Sequence, residues 1–319
     1  MARVPIPTID LFCGAGGSSW GARLAGAKIV AGFDMCEVAA GAYRENFPEA
    51  SFYEDRLENL DPFLVAAELG RVDLILASPE CTNHSPAKGK GPRCEKSKET
   101  AFQVTRFASA FRPRWIVVEN VTSMRRWLRY GEFVSTIEDL GYNVTAQVLD
   151  TKEFNVPQAR QRLFLLCDRA RKPSQVKPVT RTFKPASSVV DHNGTFACSP
   201  LRSEGRAAPT LQRAERAIAA LGKKPFLLVY YGSDGAGGWQ RLSRPLRTIT
   251  TLDRFAFVKW GASGPLMRML QVPELKAAMG MPQKFSVGHG PRRDRIRLIG
   301  NAVCPPIMRA VVRSLIRRA

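Results

Sequence analysis

The sequence predicts a doubly wound, mostly parallel α/β sheet of the Rossmann-like kind, joined to a second, smaller lobe. Three observations carry this expectation. Short continuous Ile/Val/Leu runs recur through residues 1–168, stretches with helical spacing separate them, and the alternation stops after Asp168. Apolar runs without alternation read as strands buried on both faces. Strand, helix and strand in repetition give a parallel sheet.

In chain order, strands are expected over 8–12, 28–33, 72–77, 115–118, 144–149 and 162–167. Helices are expected over 36–46, 98–111 and 132–140, the last stopped by Gly141. Residues 169–242 are rich in Pro, Gly, Ser and Arg, and only a helix at 210–221 and a strand at 226–231 stand out. Helical spacing resumes over 272–279, with Pro273 in the first turn and Gly280 as the stop. A last helix over 303–318 carries Arg309, Arg313, Arg317 and Arg318 on and near one face. The expected division is a main domain at 1–168, a small lobe at 169–245 and a return to the main domain at 246–319.

A chain of 319 residues with 45% hydrophobic and 24% charged residues has ordinary globular composition. No apolar run approaches the roughly 18–20 residues of a membrane span, and Asp10 lies where a signal peptide needs an apolar core. A cytoplasmic monomer is expected. Seven scattered cysteines suit a reducing compartment. Cys81, His84 and Cys94 lack the second ligand pair of a metal site, so no metal is expected. Forty-eight Lys+Arg against 28 Asp+Glu give +20 and a pI near 10.2. Such an excess is a footprint of nucleic-acid binding; charge kept for solubility is the plainer alternative.

Five motifs carry chemistry. Asp10-Leu-Phe-Cys-Gly-Ala-Gly-Gly17 reads as a strand, a glycine turn and a helix start, where the backbone can approach a ligand closely. Asp34 closes the second strand, where such folds bind ribose hydroxyls, and Asp55 follows the third short strand, within reach of an adenine amino group. Cys81 follows the apolar run 72–77, at the sheet edge where α/β enzymes place their chemistry, although a lone cysteine is more often a small buried hydrophobe. Glu119 and Asn120 end another buried strand, and a carboxyl there needs a partner or a role. Arg160 and Arg162 alternate on an extended segment and so share a face. Gly300-Asn301 reads as a turn that opens the last helix.

Taken in order, these segments resemble the DNA (cytosine-5)-methyltransferase family over nearly the whole chain. The blocks are D-L-F-x-G-x-G-G at 10–17, E-N-V at 119–121, Q-x-R-x-R at 158–162, R-P-L-R-T-I-T-T at 244–251 and G-N-A-V at 300–303, with 269–285 resembling the block before the last. The resemblance implies S-adenosylmethionine as cofactor and double-stranded DNA as partner. Phe12 would pack on adenine, Gly14, Gly16 and Gly17 would admit the methionine moiety, Asp34 would take the ribose, Asp55 the adenine amino group, and Asn301 would close the pocket. Cys81 would attack C6 of the target cytosine, Glu119 would hold N3, and Arg160 and Arg162 would support nucleophile and target. The lobe at 169–245 falls where the family keeps its target-recognition region.

Three departures bear on function. The family has proline directly before the nucleophile, whereas this chain reads Pro79-Glu80-Cys81, and Thr82 replaces the usual glutamine. A carboxylate beside the sulfur disfavours the thiolate. Asp34 stands where the family more often has glutamate. An RNA cytosine methyltransferase on the same fold and a catalytically silent DNA-binding relative are the competing readings.

Overall fold

The computed structural model describes residues 5–80, 99–230 and 237–316. Its first sheet has seven strands: β1 (Ile6–Leu11), β2 (Ala27–Phe33), β3 (Ser51–Tyr53), β4 (Leu74–Ala77), β5 (Trp115–Asn120), β6 (Asn143–Asp150) and β7 (Gln161–Asp168). Their order is β3-β2-β1-β4-β5-β7-β6. Strands β3, β2, β1, β4 and β5 are parallel, while β7 runs antiparallel to both β5 and β6.

The continuous apolar runs have the cause inferred for them. In the central strands, Ile9, Leu11, Ile75, Ala77, Ile116 and Val118 pack into one core layer. Leu74, Leu76, Trp115 and Val117 pack into the other. Helices α1 (Gly17–Ala25) and α2 (Glu37–Asn46) cover the second of these layers; α3 (Pro62–Leu69), α4 (Gln103–Phe111) and α5 (Tyr130–Asp139) cover the first. Helix α3 has no clear apolar stripe in the sequence, because Phe63 and Leu64 point outward. Its start is set instead by Asp61, whose carboxylate accepts from the Phe63 N–H at 2.9 Å, with Pro62 in the first turn.

The second sheet is antiparallel, with β8 (Ser199–Pro200), β9 (Phe226–Val229), β10 (Trp239–Arg241), β11 (Phe255–Gly261) and β12 (Gly264–Met269) in the order β10-β9-β11-β12-β8. Since β11 pairs with β9, the antiparallel layer continues past residue 245 to Met269. Each face of β9 and β11 has its own partner. Phe226, Leu228, Ala256 and Val258 face Ala214, Ala217 and Leu221 of α6 (Ala208–Leu221). Leu227, Val229, Phe255 and Phe257 join the main core.

The chain closes with α7 (Val272–Ala278), α8 (Arg292–Asn301) and α9 (Pro305–Ile316). Gly300-Asn301 therefore ends α8 rather than opening the last helix as a turn. The glycine is required by contact, since a Cβ at 300 would lie 2.3 Å from the Thr250 carbonyl oxygen. Gly300→Ala should cost a few kcal/mol of stability, of the order of an overpacked core site, read as a lower urea midpoint. Among the described residues, no helix is long and apolar enough to cross a membrane.

Candidate active site

The carboxyl ends of β1, β2, β4 and β5 converge on one cavity of about 600 Å³, which Phe12, Gly14, Asp34, Asp55, Glu119 and Asn301 help to line. Its volume lies within the range of small-molecule sites. Past β1 the chain turns sharply, with positive φ at Phe12 (58°), Gly14 (53°) and Gly16 (90°). The Gly14 N–H donates to one oxygen of Asp34 at 2.9 Å and the Cys36 N–H to the other at 3.0 Å. Asp34 thus pins the glycine turn to the end of β2, and burial raises its carboxyl above the usual range. Asp55 is exposed at the rim and accepts from the Asn59 side chain at 2.7 Å.

Gly14, Gly16 and Gly17 have different duties. A Cβ at Gly14 would meet nothing within 4 Å, so this backbone is open to a ligand. A Cβ at Gly16 would strike the Phe47 ring at 2.3 Å, and one at Gly17 the Val303 carbonyl at 2.4 Å. Gly16 and Gly17 therefore let α1 pack against α2 and the approach to α9, and neither belongs to the cavity wall.

Beneath the turn lies Asp10, fully buried. Its Oδ2 accepts from the Ser19 N–H at 3.1 Å and the Ser19 hydroxyl at 2.6 Å, while Oδ1 has no partner among the described residues. Burial pushes its carboxyl up to about 7. The folded protein then holds a proton here that the unfolded chain has lost, so stability falls as pH rises from about 4 to about 7. The slope is roughly 1.4 kcal/mol per pH unit from this group. Asp10→Asn should flatten that part of the profile. Urea unfolding of both proteins at pH 5 and 7.5 checks it, and parallel profiles would refute it.

Glu119, 6% exposed, ends β5 and pairs through Oε1 with the Arg162 Nε at 3.1 Å. Burial raises its carboxyl, and the Arg162 and Arg160 charges only partly offset that. A carboxyl so placed can carry or share a proton with a ring nitrogen. Arg160 is an internal tie: its guanidinium donates to the carbonyls of Ile249 at 2.8 Å, Gly300 at 2.8 Å and Ala302 at 3.3 Å. It joins β7 to the segment that carries Asn301.

Cys81, His84 and Cys94 lie outside the described residues; the approach to Cys81 does not. The Ser78 N–H donates to the Leu11 carbonyl at 3.1 Å, and the buried Asn120 amide donates to the Pro79 carbonyl at 3.0 Å. Glu80 follows and lines the cavity with Glu119. Elsewhere, burial pushes the thiols of Cys13, Cys167 and Cys304 up, to about 12 for Cys304, which works against a thiolate at those positions.

Sequence reasoning did not single out Met35, Thr100 or Arg297, which also line the cavity. Met35 adjoins Asp34, and Arg297 precedes Asn301 by one helical turn, so adjacency was the available signal. Thr100 carried none. The residues present fit a nucleoside-bearing ligand: an aromatic ring at Phe12, open backbone at Gly14, and carboxylates at Asp34 and Asp55 able to take hydroxyl and amino protons.

Residues 6–317 match the family model described as C-5 cytosine-specific DNA methylase, and the chain belongs to that family. It is 35% identical over 167 residues to Type II methyltransferase M.AgeI of Thalassovita gelatinovora, covering 50% of this chain and 38% of that one. The match thus spans well under half of that relative's length. With Type II methyltransferase M.HgiDI of Herpetosiphon aurantiacus it shares 28% identity over 76% of this chain and 80% of that one. The solved structure of the S. pombe Dnmt2 methyltransferase superposes with a TM-score of 0.68 at 16% identity, covering 99% of each chain, which bears on the fold.

Proposed function

We propose that the protein transfers a methyl group from S-adenosylmethionine to carbon 5 of cytosine in a specific sequence of double-stranded DNA. The observation that carries this reading is the buried Glu119, which lines the same cavity as Asp34 and Asp55 and pairs with Arg162 behind it. Phe12, Gly14, Asp34, Asp55 and Asn301 would hold the cofactor, which when bound supplies an electrophilic methyl group. Gly16 and Gly17 shape the turn from behind.

Carbon 5 of cytosine is a weak nucleophile, and the proposed residues address that. The Cys81 thiolate forms a bond to C6, and the electrons of the C5–C6 double bond move towards C5. Glu119, kept protonatable by burial and oriented by Arg162, donates to N3 and stabilises the charge that develops in the ring. After C5 has been methylated, a base takes the C5 proton, the C6–S bond breaks and the thiolate returns. A stacked base cannot reach these groups, so the cytosine is flipped out of the duplex. The lobe from 169 onward, including β11 and β12, is the proposed target-recognition region.

The test is incubation with labelled S-adenosylmethionine and either DNA or RNA. Label in DNA supports the proposal, label in RNA alone replaces DNA by RNA as substrate, and label in neither leaves a silent binding protein. Bisulfite sequencing of DNA from cells that express the protein then reads the target sequence.

A further inference from the structure

A second cleft, of about 780 Å³, lies between α9 and the segment that follows β7. Lys177 and Lys184 stand on one wall, Arg309 and Arg313 on the other. The arginines are four residues apart, so they share one face of α9, where like charges repel. No Asp or Glu among the described residues lines the cleft; Glu153 on the adjoining turn is not part of the wall. Lys177, Lys184 and Arg309 form no ion pair with a carboxylate among the described residues. Phe154, Val176 and Pro306 add apolar lining. The 174–184 wall is built in place: Gln147 of the edge strand β6 donates to the Val176 carbonyl at 3.0 Å and accepts from its N–H at 2.8 Å, and the Val179 N–H donates to the Glu153 carbonyl at 3.0 Å.

Three cations on facing walls, Lys177, Lys184 and Arg309, without a carboxylate partner among the described residues call for an anion, and a cleft this long is larger than one phosphate needs. We propose that it is a second nucleic-acid contact, holding the sugar–phosphate backbone of duplex DNA beside the target site. The inference rests on the reading that DNA is the substrate. Val303 lines the cofactor cavity, and α9 runs from Pro305 to Arg313 over eight residues, or roughly 12 Å. On this proposal a duplex bound at the cavity extends over that distance to the cleft. Contacts of this kind position DNA without reading its sequence.

The experiment compares Lys177→Gln/Lys184→Gln/Arg309→Gln with a control that loses three exposed charges elsewhere, Lys28→Gln/Arg44→Gln/Arg71→Gln. Binding to a 30-bp duplex is followed by fluorescence anisotropy across a salt series, and melting checks the fold of each. The cleft variant should bind more weakly than the control at every salt concentration. Its plot of log affinity against log salt should be shallower than that of the unmodified protein by roughly 3, with little change in the control. Superimposable curves for the two variants would overturn the proposal. So would unchanged duplex binding together with loss of pyrophosphate binding, which would assign the cleft to a small phosphate ligand. Methyl incorporation by the unmodified protein is measured in parallel: none into DNA refutes the reading beneath, whereas normal incorporation with superimposable curves refutes the cleft alone.

Discussion

Cys81→Ser should abolish methyl transfer while leaving DNA binding in place. Serine keeps the shape but not the thiolate, and an uncharged hydroxyl adds to C6 far too slowly to raise the electron density at C5. A loss on the order of 10³-fold or more is expected, since removing a nucleophile removes the route through the covalent intermediate. The sharper readout is a trap. When cytosine carries fluorine at C5, no proton can leave that carbon, so the C6–S bond persists and the protein migrates with DNA on a denaturing gel. Cys81→Ser should give no such band, and full activity or an intact band in that variant would remove Cys81 from the mechanism. The result also tests Glu80, because a strong band in the unmodified protein means that the thiolate forms despite the neighbouring carboxylate.

Glu119→Gln should lower the methyl-transfer rate by roughly 10²–10⁴-fold, the usual worth of a positioned acid. Cofactor affinity, measured by calorimetry, should change little. Glutamine keeps the size and can still meet Arg162, but it cannot give up a proton. The pH dependence separates this from mere loss of shape. Burial raises the Glu119 carboxyl, so its protonated form persists to higher pH than in a free glutamate and is lost as pH rises through the raised value. The single-turnover rate of the unmodified protein should fall across that limb, and the Gln variant should lack it. A limb of the same steepness in the variant would assign the titration to another group.

How much of this was legible in the sequence depended on the range of the forces involved. The strands β1, β2, β4, β5 and β7 announce themselves because burial on both faces leaves a nearly unbroken apolar run, whereas the edge strand β6 shows only a broken one. The reversed direction of β7 does not, since an antiparallel strand buried on both faces has the same composition as a parallel one. Asp34 and Glu119 were readable from their places at strand ends. Gly17 was readable as a necessary glycine but not for its reason, the Val303 carbonyl, which is set by packing across nearly the whole chain. Arg160 reads as a twin of Arg162, yet one side chain grips three backbone carbonyls and the other pairs with Glu119. Sequence alternation gives a side, not a neighbour. Likewise the pairing of β11 with β9 spans a long loop and leaves no local trace, which is why the expected boundary at 245 falls inside a sheet.

The two-faced packing of β9 and β11 bears on how such a protein can change its target. Leu227, Val229, Phe255 and Phe257 belong to the main core, so the second sheet is not a detachable reading head. The other side, where Phe226, Leu228, Ala256 and Val258 meet α6, is a separate small core that can change only together with α6, and variation is freest in the loops beyond. A chimera that imports a foreign segment for 169–269 inherits this constraint. It should fold only if the four inward positions stay large and apolar, whatever the imported loops recognise. New specificity in this lineage is therefore expected to arise by replacing the outer half of a layer whose inner half stays put.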